Sequence, residues 1–236
     1  ALGIEYNDDK KPFYREVKSN LESKKQKNLV IFIQESMGYQ FTGFLGNNTL
    51  TPNLDNLAKN YISFTNLYSN GTRSVRGLAA LTSGTLPIHG VEVVKRNKSQ
   101  QDYFTVASLL KPYGYKSSFI YGGEARFDNM KSWYLGNGFD EVIEQKDYTN
   151  PIFTSTWGVS DEDLVIKANE KFKSYSKNKE NFVSVMFSSS NHMPFELPDN
   201  KIEFEKNLPR GSVENAIKYA DFAIGKFFEL AKKEDY

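Results

Sequence analysis

The 236-residue sequence contains no cysteine. That absence excludes disulfides, thiolate metal sites and any nucleophile made from cysteine; it suits an oxidising compartment without requiring one. Strong net charge is missing too. Thirty Lys and Arg against 29 Asp and Glu leave a formal +1, which gives no electrostatic footprint for nucleic acid or an anionic membrane surface. No run of about 18 apolar residues occurs, so no stretch reads as a membrane span. The opening ALGIEYNDDKKPFY lacks a basic segment followed by an apolar one and does not read as a signal peptide. The final FFELAKKEDY stops in a helical pattern without a closing glycine or proline, which reads as an interrupted chain.

What is present is ordinary globular composition, 39% hydrophobic and 25% charged. Residues 1–27 are polar and lysine-rich, expected to form a lead-in arm with one helix near Phe13 to Leu21. Residues 28–236 are expected to form one α/β domain. NLVIFIQ (28–34) and NFVSVMFSSS (181–190) are continuous apolar runs that suit strands buried on both faces of a parallel sheet. YKSSFIYGG reads as another strand, and YISFTNLYS (61–69) alternates as a strand does. Helical patterns lie between them. TPNLDNLAKN has Thr51 as cap and Pro52 at the first position, VRGLAALTSG closes at Gly84, and FTVASLLKPYG and NMKSWYLGNGF are shorter. SDEDLVIKANEKFKSYS opens on Ser160 with three acids in its first turn. Val213, Ala216, Ile217, Ala220, Ile224, Phe227 and Ala231 fall on one helical stripe. The alternation predicts a mostly parallel central sheet flanked by helices.

In such folds chemistry gathers at the carboxyl ends of the strands. Four predicted ends bear polar clusters: QES (34–36), SNGTRS (69–74), YGGEARFDN (121–129) and SSSNHMPF (188–195). Thr72 in the second admits three readings: a helix cap, the acceptor threonine of the glycosylation sequon Asn70-Gly71-Thr72, or a nucleophile. A threonine hydroxyl is weak near neutral pH, and a divalent ion on its oxygen makes it reactive. Glu35 offers such an ion a hard oxygen ligand. Arg76, one turn beyond Thr72, has donors that match a phosphate oxygen. Backbone N–H groups at the start of the helix favour the same anion.

The stretch TPNLDNLAKNYISFTNLYSNGTRSVRGLAALTSG resembles the signature region of the alkaline phosphatase and sulfatase superfamily. Within it, the chain looks like the branch of lipoteichoic acid synthases and phosphoglycerol transferases. Sulfatases use a modified Cys or Ser followed by Pro at plus two and Arg at plus four; here Thr72, Ser74 and Arg76 stand at those places. Threonine is the nucleophile of the phosphotransferase branch, so the resemblance favours phosphorus over sulfur. It implies an alkaline-phosphatase-like fold, Glu35 and Thr72 as metal ligands, and His192 of the NHMPF run as a substrate contact. Glu124, Arg126 and Phe127 fall where relatives surround a glycerol phosphate head.

The resemblance implies a metal-dependent transferase moving phosphoglycerol from a lipid-linked donor to an envelope glycan or polyglycerolphosphate acceptor through a covalent Thr72 intermediate. The ion expected is Mn²⁺, with Mg²⁺ or Zn²⁺ as alternatives. The site is expected to face the periplasm or the outer side of the bacterial membrane, with membrane anchoring upstream of Ala1. Phosphoethanolamine transfer, sulfate-ester hydrolysis and non-catalytic binding of an envelope glycan or lipid head group remain open. Oligomeric state is not legible. The branch completes its metal site with an Asp-His pair, and no such pair occurs in these 236 residues. The chain is therefore expected to hold only part of that site.

Overall fold

The computed structural model describes residues 26–86 and 89–236. The helix expected near Phe13 to Leu21 lies outside the described residues. Four strands, β1 (Leu29–Ile33), β2 (Lys116–Tyr121), β3 (Glu141–Ile143) and β6 (Phe182–Phe187), form a parallel sheet in the order β1-β6-β2-β3. A separate antiparallel hairpin joins β4 (Thr154–Ser155) to β5 (Gly158–Val159). Helices α1 (Gly43–Gly46), α2 (Pro52–Asn60), α3 (Ser74–Ser83) and α4 (Val106–Leu110) lie between β1 and β2. Helix α5 (Met130–Gly136) links β2 to β3, α6 (Asp161–Lys177) precedes β6, and α7 (Val213–Ala231) follows it.

The sheet separates two apolar cores, because successive side chains of a strand point to opposite faces. Phe119, Tyr121, Val185 and Phe187 meet Leu78 of α3 and Trp133 of α5 on one side. Ile120, Phe182 and Met186 meet Leu164 and Phe172 of α6 and Phe227 of α7 on the other. β6 is central, and all six of its residues are buried. Its one polar member, Ser184, shares a hydroxyl–hydroxyl bond of 2.8 Å with Ser118 on β2, so neither oxygen is left without a partner.

Two expectations change. β1 is an edge strand, mostly half-buried, because among the described residues only β6 pairs with it. Residues 61–69 form no strand. A strand needs a hydrogen-bonding neighbour, and alternation alone supplies none; Ile62, Phe64, Leu67 and Tyr68 are 74–88% exposed. At two other element ends the signals act as read. Gly84 ends α3 in the left-handed region (φ 68°) with its N–H on Ala80. Ser160 Oγ accepts from Asp163 N at the start of α6. All four sheet strands run the same way, so their carboxyl ends bring residues 34–36, 122–129 and 188–192 to one edge of the sheet.

Candidate active site

Glu35 sits where the chain leaves β1. Its N–H donates to Ser188 Oγ (2.9 Å) and its carbonyl accepts from Asn191 Nδ2 (2.9 Å), so the loop after β6 clamps its backbone. The carboxylate accepts from Ser36 Oγ at 3.0 Å on one oxygen and from Ser74 Oγ at 2.6 Å on the other. Ser36 adopts φ 51°, which turns the chain back toward the carboxylate. Glu35 is only 9% exposed, and among the described residues no Lys, Arg or His forms an ion pair with it. A buried carboxylate held by neutral hydroxyls alone is a centre of uncompensated negative charge.

The clamp loop is itself held from below. Ser189 N and Ser190 N donate to Asp161 Oδ1 (2.9 and 3.1 Å), and Asp161 N returns a bond to Ser190 Oγ (3.1 Å). Asp161 is fully buried, and its second oxygen has no hydrogen-bond partner among the described residues. Burial pushes its carboxyl above the usual range, the two backbone N–H bonds oppose this, and the Glu35 charge adds to it. Tyr121, at the end of β2, is likewise raised by burial first and by Glu35 second.

Ser74 opens α3, and Arg73 is the backbone cap, extended at φ −118°, ψ 133°, with no side-chain cap bond. Thr72 is therefore one residue before the cap and does not cap the helix. It is exposed. Only Arg73 separates it from Ser74, and two Cα–Cα steps bound the Cα–Cα distance at about 7.6 Å. Glu35 and the Thr72 segment thus meet at the first turn of α3, although residues 61–69 supply no strand to lead into it.

A cleft of about 110 Å³ opens over this point. Its polar wall is Glu35, Arg73, Ser74, Lys95, Asp128, Ser188, Ser189 and His192; its apolar wall includes Tyr121, Phe127, Met130, Trp157 and Phe187. Lys95 Nζ pairs with Asp128 at 2.5 Å across the mouth. Asp128 and Asn129 are successive non-glycine residues at φ 53° and 59°, a costly arrangement that places Phe127 and Asp128 on the cleft. The β4–β5 turn brings in Trp157. Its Nε1 donates to Met193 O (2.7 Å), and its ring centre lies 3.8 Å from that of His192 and 5.6 Å from that of Phe127.

The sequence candidates therefore divide. Glu35, Phe127 and His192 line one cleft; Thr72 does not line it, although Arg73 and Ser74, which follow it, do. Arg76 does not line it. Arg76 Nε donates to Glu92 Oε1 at 2.6 Å, which holds the Glu92 carboxyl below its usual range. Arg126 and Glu124 pair with each other at 2.5 Å in solvent and line a separate groove. The sequence reading missed Arg73, Lys95, Asp128 and Trp157. Arg73 adjoined the motif, but Trp157 stands in a turn with no periodicity to mark it.

The sulfatase family model matches residues 27–236. A phosphoglycerol transferase I of Xanthomonas campestris pv. campestris is 25% identical over 227 residues, which cover 90% of this chain and 32% of that protein. A crystal structure of an alkaline phosphatase superfamily protein from Vibrio parahaemolyticus is 54% identical, with a TM-score of 0.87 over 90% of this chain and 52% of its own. The lipoteichoic acid synthase LtaP of Listeria monocytogenes is 26% identical, with a TM-score of 0.74 over 88% of this chain and 52% of its own. The chain thus spans about a third of the length of the curated relatives and about half of these solved ones.

Proposed function

The chain belongs to the sulfatase family, and on that premise we propose that its cleft transfers phosphoglycerol from a lipid donor to an envelope glycan or polyglycerolphosphate acceptor, outside the cytoplasm. The observation that carries this reading is the buried Glu35 carboxylate, without a cation partner among the described residues, bonded to the first residue of α3 beside Thr72. The names of the phosphoglycerol transferase relatives and of LtaP support the same chemistry. Threonine at position 72, where sulfatases have a modified Cys or Ser, favours phosphorus. No helix among the described residues is long and apolar enough to cross a membrane.

In the proposed sequence Thr72 Oγ1 attacks the donor phosphorus. The new O–P bond forms as the bond to the lipid glycerol oxygen breaks, and the hydroxyl proton ends on that leaving oxygen. An acceptor hydroxyl then attacks the same phosphorus, the Thr72–phosphorus bond breaks, and the acceptor's proton returns to Thr72. Charge spreads over the equatorial oxygens during both steps. Phe127, Trp157 and His192 border the space that the head group and acceptor occupy.

A divalent cation fits this donor set in part. Glu35 and Thr72 offer oxygen ligands, while among the described residues no group of three or more His, Asp or Glu converges there. Mn²⁺ is the ion we assign, with Mg²⁺ and Zn²⁺ as its competitors. When bound, it lowers the pKa of the hydroxyl it touches and offsets the Glu35 charge.

One observation favours a second nucleophile: the hydroxyl bonded to Glu35 belongs to Ser74, not Thr72. The two readings separate experimentally. Full-length protein supplied with phosphatidylglycerol, phosphatidylethanolamine or an aryl sulfate should turn over the first. Glu35→Gln and Thr72→Ala should each lower that rate about 100-fold or more, and Ser74→Ala should lower it far less. Faster turnover of the sulfate ester, or undiminished turnover by Thr72→Ala, would contradict the proposal.

A further inference from the structure

Two arginines three residues apart open α3, and the structure sends them to different places. Arg76 turns away from the cleft to Glu92. Its stem lies over Gly71, where an added Cβ would stand 2.6 Å from Arg76 Cδ. Arg73 is exposed, lines the cleft, and forms no ion pair among the described residues. The other cationic side chain lining the cleft, Lys95, is matched by Asp128. Arg73 is thus the one guanidinium there whose charge is not already answered.

We propose that Arg73, rather than Arg76, holds the phosphate of the bound ligand, and that Arg76 is a positioning residue that braces the Gly71–Thr72 turn. This assignment rests on the proposed phosphoryl-transfer reading. A phosphate in the cleft carries its own negative charge on its open side, away from Glu35, and a cation there holds it. The five N–H donors of a guanidinium match phosphate oxygens in pairs. Arg73 lines the same cleft as Glu35 and Ser74, so its guanidinium faces a ligand held there without any movement of α3. For Arg76 to serve instead, it would have to abandon Glu92 and uncover Gly71.

The test measures binding of sn-glycerol 1-phosphate and of inorganic phosphate to full-length, metal-loaded protein by calorimetry, with glycerol as control. Arg73→Gln should weaken both phosphate ligands about 10-fold or more, and Arg73→Lys should fall between. Tm should not move, since the side chain is exposed and forms no ion pair among the described residues. Arg76→Gln and Glu92→Gln should lower Tm and kcat together while Kd for phosphate stays within about threefold. Wild-type phosphate affinity in Arg73→Gln, or a loss of affinity in Arg76→Gln at unchanged Tm, overturns the assignment. If Arg73→Gln loses phosphate binding while Thr72→Ala still turns over, the transferase mechanism fails and the arginine assignment stands. If Arg73→Gln binds normally while Thr72→Ala is dead, the reverse holds.

Discussion

Asp161 shows how one residue sets the shape of the cleft without touching it. Its Oδ1 gathers the Ser189 and Ser190 amides, and that loop in turn clamps Glu35 through Ser188 and Asn191. Its carboxyl is raised chiefly by burial. The folded chain therefore binds this proton more tightly than the unfolded chain, whose aspartate titrates near pH 3.9. Stability from this group is complete below that value and is lost as pH rises toward the folded pKa. Asp161→Asn keeps an acceptor for both amides and removes the titration. Its Tm, measured between pH 4 and pH 8, should fall less with rising pH than that of the wild type; parallel curves would refute the assignment. Among candidate site residues, Glu35 and His192 were legible as polar groups just beyond apolar strands. Arg76 was read as the phosphate contact and Arg73 was missed, because the Glu92 contact that turns Arg76 away leaves no trace in the local sequence.

At the scale of elements, α2 and α7 are tied by a single side chain. Asp221 of α7 accepts from Asn53 N and Nδ2 (both 2.9 Å) and from Leu54 N (2.8 Å), capping α2 from outside. The sequence placed the start of α2 correctly, with Thr51 at the cap position and Pro52 first in the helix, but the Thr51 hydroxyl makes no cap bond. That hydroxyl instead accepts from Gly43 N and donates to Asp55. Capping by a residue 168 positions away leaves no local signature. Asp221→Ala should cost about 3 kcal/mol, since it strips partners from three donors at a buried contact. Asp221→Asn should cost less, and urea unfolding distinguishes them. β6 was legible as a continuous apolar run because it is buried on both faces, and α7 because burying one face imposes a helical period. The 61–69 segment was not, because its alternation is met by no neighbouring strand among the described residues.

The whole molecule is close to neutral, yet its charges are unevenly placed. The Glu35 carboxylate places negative charge at the base of the cleft, while Arg73 stands at its rim. Large apolar side chains at Tyr61, Ile62, Phe64, Leu67 and Tyr68 remain more than 60% exposed, an extent that marks a surface suited to contact. The chain spans about a third of its curated relatives, and the decisive measurement uses the full-length protein. That protein, incubated with phosphatidylglycerol and no acceptor, is digested and mapped by mass spectrometry. The account predicts a phosphoglycerol adduct on Thr72, absent in Thr72→Ala and much reduced in Glu35→Gln. An adduct on Ser74, or an adduct that survives in Thr72→Ala, would contradict it.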